Sequence, residues 1–553
     1  MPIVANADRL SIEELREDVI GEGACFDTPF GRRRLTYADY IASGRPLASV
    51  EAALARAVLP LYANTHTEDS ATGAHTTLLT DRAREYVKQS LGAGASHKLI
   101  FAGTGATGAL KRLQEVLGVS VSPTLRARVL DAMDPADRLV VFVGPYEHHS
   151  NEVSWRESLA EVVPVPLSRD GTLDLAALER LLRDPRYQGR PRLGSFSAAS
   201  NVTGIITDVR AVAKLLHEHG AKAAFDFAAS GPYVAIDVQE SSPGADDGID
   251  ALVLSPHKFV GGPGSPGVLV IHEDLYRLPS PTTAGGGTVT YVSHATHRFV
   301  SDVEAREDAG TPGILQKLRA AMAFRVKERV GAEVIARREE DYVKRALRRL
   351  SANPKVEVLG NVSVPRLAVV SFLVKPGDRY LHPRLVIRLL SDLFGIQGRA
   401  GCSCAGPYGH DLLGIGEEAS KKFLEQLEAG YEGLKPGWSR LSFHFLIDEP
   451  EFEFLLAAVE FLAEHGDAFL PLYDFDWQTG AWSHKSVAPQ PPEQQDFAFE
   501  AWQPVAAAAG RRVDDYAGYL SEARRLAAQL RKEPPQAPDR STGADQRLVT
   551  FQV

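Results

Sequence analysis

The chain has 553 residues, 44% hydrophobic and 24% charged, with a formal net charge of −10. This is globular composition with room for two or more domains, and the acidic balance argues against nucleic acid, which wants a basic face. No apolar run reaches the ~20 residues of a membrane span, and Met1 to Ile20 is acidic, with no signal-peptide core.

In chain order, 1–30 is expected to be an N-terminal segment. A large domain is expected over 31–312. Within it, strand candidates are Lys98–Ala102, Arg138–Val143, Glu161–Pro166, Arg192–Ala198, Lys222–Phe227, Asp250–Ser255 and Gly267–Ile271. Amphipathic helices are expected between several of them, at Ala106–Leu117, Leu173–Leu182 and Val209–His219. That alternation predicts an α/β fold with a mostly parallel sheet, whose ligands bind at the carboxyl ends of strands. A smaller α+β domain is expected over 313–469. It opens with a helical stretch over 313–350 and continues with strands at Leu367–Val374 and Arg440–Leu446. Its further helices are expected at Arg384–Phe394, Lys421–Leu434 and Glu451–Glu464. The remainder, 470–553, reads as a C-terminal extension: a Pro- and Gln-rich linker at Gln490–Gln495, a helix at Asp514–Lys532 and a loose tail. Cysteine is used only at Cys25, Cys402 and Cys404. This points to a reducing cytoplasmic setting rather than a disulfide framework.

The chemistry-bearing residues fall at strand ends. Gly103-Thr104-Gly105-Ala106-Thr107-Gly108 lies between a strand and a helix. Formally it satisfies a dinucleotide pattern, but the next strand leads into Gly144-Pro145-Tyr146-Glu147-His148-His149 rather than an acidic ribose ligand. What remains is a phosphate cradle at a helix N-terminus. His148 and His149 are adjacent, so they are poorly placed to share a metal ion, and no metal site is expected. An imidazole is also a flat plate able to stack on an aromatic cofactor. Asn201, in Ser200-Asn201-Val202-Thr203-Gly204, is either a turn former or a donor to a cofactor oxygen. Asp226 sits in the apolar run Phe225-Asp226-Phe227-Ala228. A buried carboxylate needs a partner: a structural arginine, or a protonated pyridine nitrogen. Lys258 follows 32 residues later, in Leu254-Ser255-Pro256-His257-Lys258-Phe259. A desolvated amine at a strand tip suits a Schiff-base lysine. Lysine, aspartate, aromatic plate and phosphate turn together make the set that pyridoxal 5′-phosphate requires.

These motifs resemble a family. Glu147-His148-His149-Ser150-Asn151, Ser200-Asn201-Val202-Thr203-Gly204 and Ser255-Pro256-His257-Lys258 are similar in order and spacing to class V, fold-type I enzymes of pyridoxal phosphate. Within them, the resemblance is to the branch of cysteine desulfurases and selenocysteine lyases, and it runs from about Asp39 to Glu464. It implies that Lys258 forms the Schiff base, Asp226 holds the ring nitrogen, His148 stacks on the ring and Asn201 contacts the 3′ oxygen. It implies that Ala106, Thr107, Ser255 and His257 bind the phosphate. It also implies a homodimer in which Gly285-Gly286-Gly287-Thr288 of the second subunit completes the phosphate site through Thr288. Where the family usually has a glutamine three residues after the aspartate, this chain has Ala229.

The resemblance extends to Gly398-Arg399-Ala400-Gly401-Cys402-Ser403-Cys404-Ala405-Gly406. Cys404 matches the nucleophilic cysteine, and Arg399 and Arg440 match carboxylate-binding positions. An arginine fork pairs bidentately with a carboxylate. Cys402 and Ser403 depart from the His-His that precedes the cysteine in similar desulfurases. Three other readings of the loop stand: plain small residues, a weak metal pair with His410, or a loop retained without a need for the thiol. The expectation is cysteine desulfuration. Lys258 shuttles the proton, Cys404 takes the sulfur as a persulfide, and alanine leaves, with a protein as a possible sulfur acceptor. The alternatives are an aminotransferase, epimerase or C–S lyase acting on a larger amino acid, and, lower, a non-catalytic protein retaining the fold. A nicotinamide dehydrogenase rests on the glycine pattern alone.

Overall fold

The apolar runs Val140–Val143 and Ala251–Leu254 are buried at every position. A strand can be apolar on both faces only when both faces of its sheet are covered. The structure, a computed structural model, describes residues 9–487, 505–507, 511–532 and 543–552. It divides into two compact units: Met1–Ile20 with Ile41–Arg337, and Gly21–Tyr40 with Arg338–Val553. The division thus falls at 337/338, where the sequence places a boundary at 312/313, and a short N-terminal segment belongs with the second unit.

The first unit holds a seven-stranded sheet. In chain order its strands are β1 (His97–Ala102), β2 (Val140–Val143), β3 (Glu161–Pro164), β4 (Arg192–Ser197), β5 (Lys222–Asp226), β6 (Ala251–Leu254) and β7 (Gly267–His272). They lie in the order β1-β7-β6-β5-β4-β2-β3. Strands β3, β2, β4, β5 and β6 are mutually parallel. Only β7 runs the other way, pairing antiparallel with both β6 and β1. The carboxyl ends of all the strands except β7 therefore share one edge.

The helices α1 (Ala71–Ser90), α2 (Gly105–Val116), α3 (His149–Arg156), α4 (Leu175–Leu182) and α5 (Val209–Glu218) lie within this unit. Asp208 caps α5 by accepting the Ala211 N–H at 3.1 Å. Two apolar clusters build the core: one gathers Leu178, Leu216, Phe225 and Leu252, the other Leu110, Val141, Trp155 and Val253. Neighbouring residues such as Leu252 and Val253 join opposite clusters, as strand alternation requires. The helical stretch expected over 313–350 is two helices, α6 (Ile314–Val330) and α7 (Ala332–Ser351). Gly331, at φ +92, breaks it, because that backbone conformation cannot continue a helix.

The second unit has a four-stranded antiparallel sheet: β8 (Val356–Val358), β9 (Val369–Val374), β10 (Arg399–Gly401) and β11 (Trp438–Ser442), in the order β8-β9-β11-β10. The strand expected over Arg440–Leu446 starts earlier and stops at Ser442; Phe443 and His444 leave the ladder. The helices α8 (Pro383–Phe394), α9 (Gly406–Leu413) and α10 (Glu449–His465) belong to this unit. The helix expected over Lys421–Leu434 is a helix at Glu417–Glu428 and a separate 3₁₀ turn at Glu432–Leu434.

The late helix α11 (Arg512–Leu530) is part of the same core. Tyr516 stacks on Phe454 with ring centroids 3.9 Å apart, and Ala523 and Ala527 are buried beside it. The linker at Gln490–Gln495 lies outside the described residues. The tail does not end loose: Phe551–Gln552 pairs with Tyr380–Leu381, and the Phe551 ring meets His382 at 4.5 Å. A late aromatic supplies apolar area that repays ordering its backbone. No helix among the described residues is long and apolar enough to cross a membrane.

Glu339, on α7, is buried in the second unit and accepts the Phe445 N–H at 3.1 Å. Burial pushes its pKa up to about 8 from the ordinary 4.5. The folded protein then holds a proton that the unfolded chain releases, so this group's contribution falls as pH rises from 4.5 to about 8. The melting temperature of Glu339→Gln, measured relative to the parent from about pH 5 to about pH 9, is expected to rise with pH by several degrees. A difference that does not change with pH would refute a titrating Glu339.

Candidate active site

Most of the sequence-predicted cofactor residues gather at the carboxyl edge of the large sheet. Gly103 and Gly105, at φ +44 and +57, turn the chain from β1 into α2. A Cβ on Gly105 would lie 2.9 Å from Ser255 Oγ and 3.4 Å from His257 Nε2, so glycine lets both side chains approach the turn. Gly267 serves the same packing from the other side, since a Cβ there would collide with Gly105 O at 2.0 Å. Ser255 Oγ accepts the Ala106 N–H at 2.8 Å. Burial pushes the His257 pKa down to about 4, aided by the Lys258 charge, so the ring is neutral near pH 7. A cavity of about 790 Å³ opens here, with Gly103, Gly105, His257, Arg112 and Lys317 on its wall.

His148 caps α3, its Nδ1 accepting the Ser150 N–H at 3.1 Å. Ser150 Oγ in turn lies 2.7 Å from Thr107 Oγ1, so His148 and the glycine turn are tied through one serine. Beneath them is a buried polar network. Glu147 accepts from Ser197 N at 2.8 Å, Ser197 Oγ at 2.6 Å and Asn151 Nδ2 at 2.6 Å. Asn151 Oδ1 accepts from Trp155 Nε1 at 3.1 Å. Burial raises the Glu147 pKa to about 7 against the pull of these donors. The network ties the end of β2 to the end of β4 and orients the His148 segment. Asn201 follows β4 in a turn closed by Gly204 N–H on Ser200 O at 3.0 Å.

Asp226 is the last residue of β5, between Ser197 of β4 and Val253 of β6. It is buried and accepts the Ala228 N–H at 2.8 Å. Burial raises its pKa, against the smaller pull of the Ala228 N–H and then of the Lys258 charge. No arginine pairs with it among the described residues, which removes the structural-pair reading. Ala229, where the resemblance expects glutamine, is buried in the following turn. Lys258 ends the 3₁₀ turn Pro256–Lys258 just past β6. The sequence expects a buried amine there; the structure makes Lys258 half-buried, just past the end of β6. Thr288 is fully buried and closes its own loop, donating to Gly285 O at 2.7 Å.

In the second unit, Arg399 and Arg440 face one another across β10 and β11 as a direct cross-strand pair. Two like charges in that register repel. Asp39, from the Gly21–Tyr40 segment, resolves the conflict: Oδ2 accepts from Arg399 Nε at 3.0 Å and Oδ1 from Arg440 Nη2 at 2.9 Å. One carboxylate leaves the pair with net positive charge. The Arg399 side chain is 51% exposed and that of Arg440 only 3%, so Arg399 presents that charge outward. Cys402 is half-buried and Cys404 exposed in the turn that follows β10. His410 lies on α9, and no group of three His, Cys, Asp or Glu side chains among the described residues converges on a metal position.

Sequence reasoning quoted Glu147 and Asn151 without assigning them a role, and missed Asp39's. A carboxylate four residues past the end of the all-apolar β2, in the turn at the sheet's carboxyl edge, was a signal for the first. For Asp39 there was none, since its partners lie 360 and 401 residues away.

The family model described as Aminotransferase class-V matches residues 36–448. A probable cysteine desulfurase of Halalkalibacterium halodurans is 29% identical over 383 residues, covering 68% of this chain and 84% of its own. A probable cysteine desulfurase of Halobacterium salinarum is 31% identical over 298 residues, covering 53% of this chain and 67% of its own. Among solved structures, the apo cysteine desulfurase from Thermococcus onnurineus aligns with a TM-score of 0.62 at 26% identity, covering 78% of this chain and 95% of that one. The chain belongs to the aminotransferase class-V family of pyridoxal phosphate-dependent enzymes and shares their fold-type I architecture.

Proposed function

We propose that the protein is a pyridoxal phosphate-dependent cysteine desulfurase, converting L-cysteine to alanine with transfer of the sulfur to Cys404. The observation that carries this is the convergence of Asp226, Lys258, His148 and the glycine turn on one sheet edge of the first unit. The residues fit the cofactor. The glycine cradle would be filled by any Cβ, and a buried carboxylate stands under the influence of a lysine charge.

Ala106, Thr107, Ser255 and His257 would hold the phosphate, and Thr288 of a second copy would complete it in a homodimer. Asp226 would hold the ring nitrogen, His148 the ring face and Asn201 the 3′ oxygen. When bound, the cofactor supplies an electron sink for charge developing at the substrate Cα. Lys258 anchors it and moves the proton at Cα. Arg399 and Arg440, preset by Asp39, receive the substrate carboxylate. The Cys404 thiolate attacks the substrate sulfur, the C–S bond breaks, and a Cys404 persulfide remains as alanine forms. Three free thiols fit a reducing compartment such as the cytosol.

The test is turnover of L-cysteine with pyridoxal phosphate, reading alanine and sulfide together. Cys404→Ala is expected to lose persulfide and fall by about 10²-fold or more in alanine formation. A C–S lyase or aminotransferase would keep its turnover in that variant, and such a result would sink the desulfurase assignment.

A further inference from the structure

The loop that bears Cys404 carries a second thiol, and its backbone is built in an uncommon way. Ala405 N–H donates to Cys402 O at 3.1 Å, so residues 402–405 form a closed β-turn. Its two central residues are Ser403 at φ +49 and Cys404 at φ +57. Both lie in the left-handed region, the arrangement of a type I′ turn, which normally takes Asn-Gly. Neither serine nor cysteine is chosen for that backbone. Strain of this kind persists only where the surroundings impose it.

Here they do. On one side β10 pairs with β11, Gly401 opposite Trp438, and a Cβ on Gly437 would meet Gly401 Cα at 2.7 Å. On the other side α9 starts at Gly406. The turn is held at both ends by regular structure. Consecutive Cα atoms are ~3.8 Å apart, and folding three of them into a tight turn brings the outer two to roughly 5–6 Å. That is within the Cα–Cα range of a disulfide. An extended Cys-Ser-Cys segment would hold its thiols on one side but farther apart.

We propose that Cys402 is a resolving thiol for Cys404, so that the protein releases its sulfur as sulfide through an intraloop disulfide. This rests on the desulfurase reading above. The Cys402 thiolate attacks Sγ of Cys404 in the Cys404 persulfide. The Cys402–Cys404 bond forms, the bond from Sγ to the terminal sulfur breaks, and that sulfur leaves with the electron pair as hydrosulfide. The two cysteines together lose two electrons, and the departing sulfur gains them. A thiol or dithiol reductant returns both cysteines to thiols before the next cycle.

Two experiments on the full chain decide it. In the first, the protein is equilibrated with a glutathione redox buffer and its cysteine peptides are mapped by mass. Cys402 and Cys404 are expected to pair with loss of two hydrogens, and Cys402→Ser is expected to carry glutathione on Cys404 instead. Wild-type protein carrying glutathione on Cys404 beside a free Cys402 overturns the proposal. In the second, holoenzyme freed of reductant is given one equivalent of L-cysteine. Wild type is expected to release sulfide equal to alanine, while Cys402→Ser makes alanine, retains one extra sulfur on Cys404 and loses the sulfide. A wild-type protein that keeps the extra sulfur overturns the proposal while leaving desulfuration standing. No alanine from either protein sinks the desulfurase reading and the sulfide-release step with it, while the first experiment still decides whether the two thiols pair.

Discussion

Lys258→Ala is expected to lower turnover by about 10³-fold or more, since both anchoring and proton movement are assigned to one amine. Lys258 is half-buried, and the backbone hydrogen bonds beside it, Gly44 N to His257 O at 3.0 Å and Phe259 N to Pro256 O at 3.0 Å, do not depend on its side chain. The variant therefore keeps its fold, which a circular dichroism spectrum checks. Borohydride reduction in the presence of pyridoxal phosphate should place a pyridoxyl group on the Lys258 peptide of the parent. The competing amine is Lys327, whose pKa burial pushes down to about 7. Its Nζ already donates to the Gly231 carbonyl at 2.6 Å and to the Val234 carbonyl. A lysine spent on carbonyls is a poor nucleophile. Labelling at Lys327, or undiminished turnover in Lys258→Ala, would refute the assignment.

Asp226→Asn is expected to move activity and stability in opposite directions. Asparagine keeps the size and can still accept from Ala228 N–H, but it carries no charge to hold a protonated ring nitrogen; turnover is expected to fall by about 10²- to 10⁴-fold. Without cofactor, the buried carboxylate is a liability. Its pKa is raised above the ordinary 3.8 by burial, so the folded state holds its proton more tightly than the unfolded one. This group's contribution to stability therefore falls as pH rises from 3.8 through the raised value. The variant should gain melting temperature relative to the parent as pH rises through that window, and lose the advantage once pyridoxal phosphate is added. A variant less stable than the parent at neutral pH without cofactor would mean that Asp226 is a structural residue. The activity loss would then need another cause.

The strand candidates of the large sheet were legible because its strands carry short apolar runs, apolar and buried at every position in β2 and β6, and their ends shifted by no more than two residues. Strand ends are set by where pairing stops: β11 ends at Ser442, a choice invisible in the alternating run Arg440-Leu441-Ser442-Phe443-His444-Phe445-Leu446, which keeps its period past the last paired residue. The helix break at Gly331 was present in the sequence as one glycine, but only its φ shows that the chain turns there. Phe551 reads as part of a loose tail, and the expected helix that carries Tyr516 as part of an extension, because their partners, His382 and Phe454, are far away in sequence.

By itself the sequence determined the class of the fold and the identity of the chemical groups at the strand ends. Those are local matters: apolar periodicity makes the strands, and a glycine turn or a lysine at a strand tip is a contiguous motif. Only the tertiary structure decided which groups act on one another. It set Asp39 between Arg399 and Arg440, tied His148 to Thr107 through Ser150, and seated Glu147 beneath them. It also folded Cys402 and Cys404 into one strained turn. Charge pairing and desolvation act through space, and residues hundreds of positions apart meet only when the core that carries them has closed.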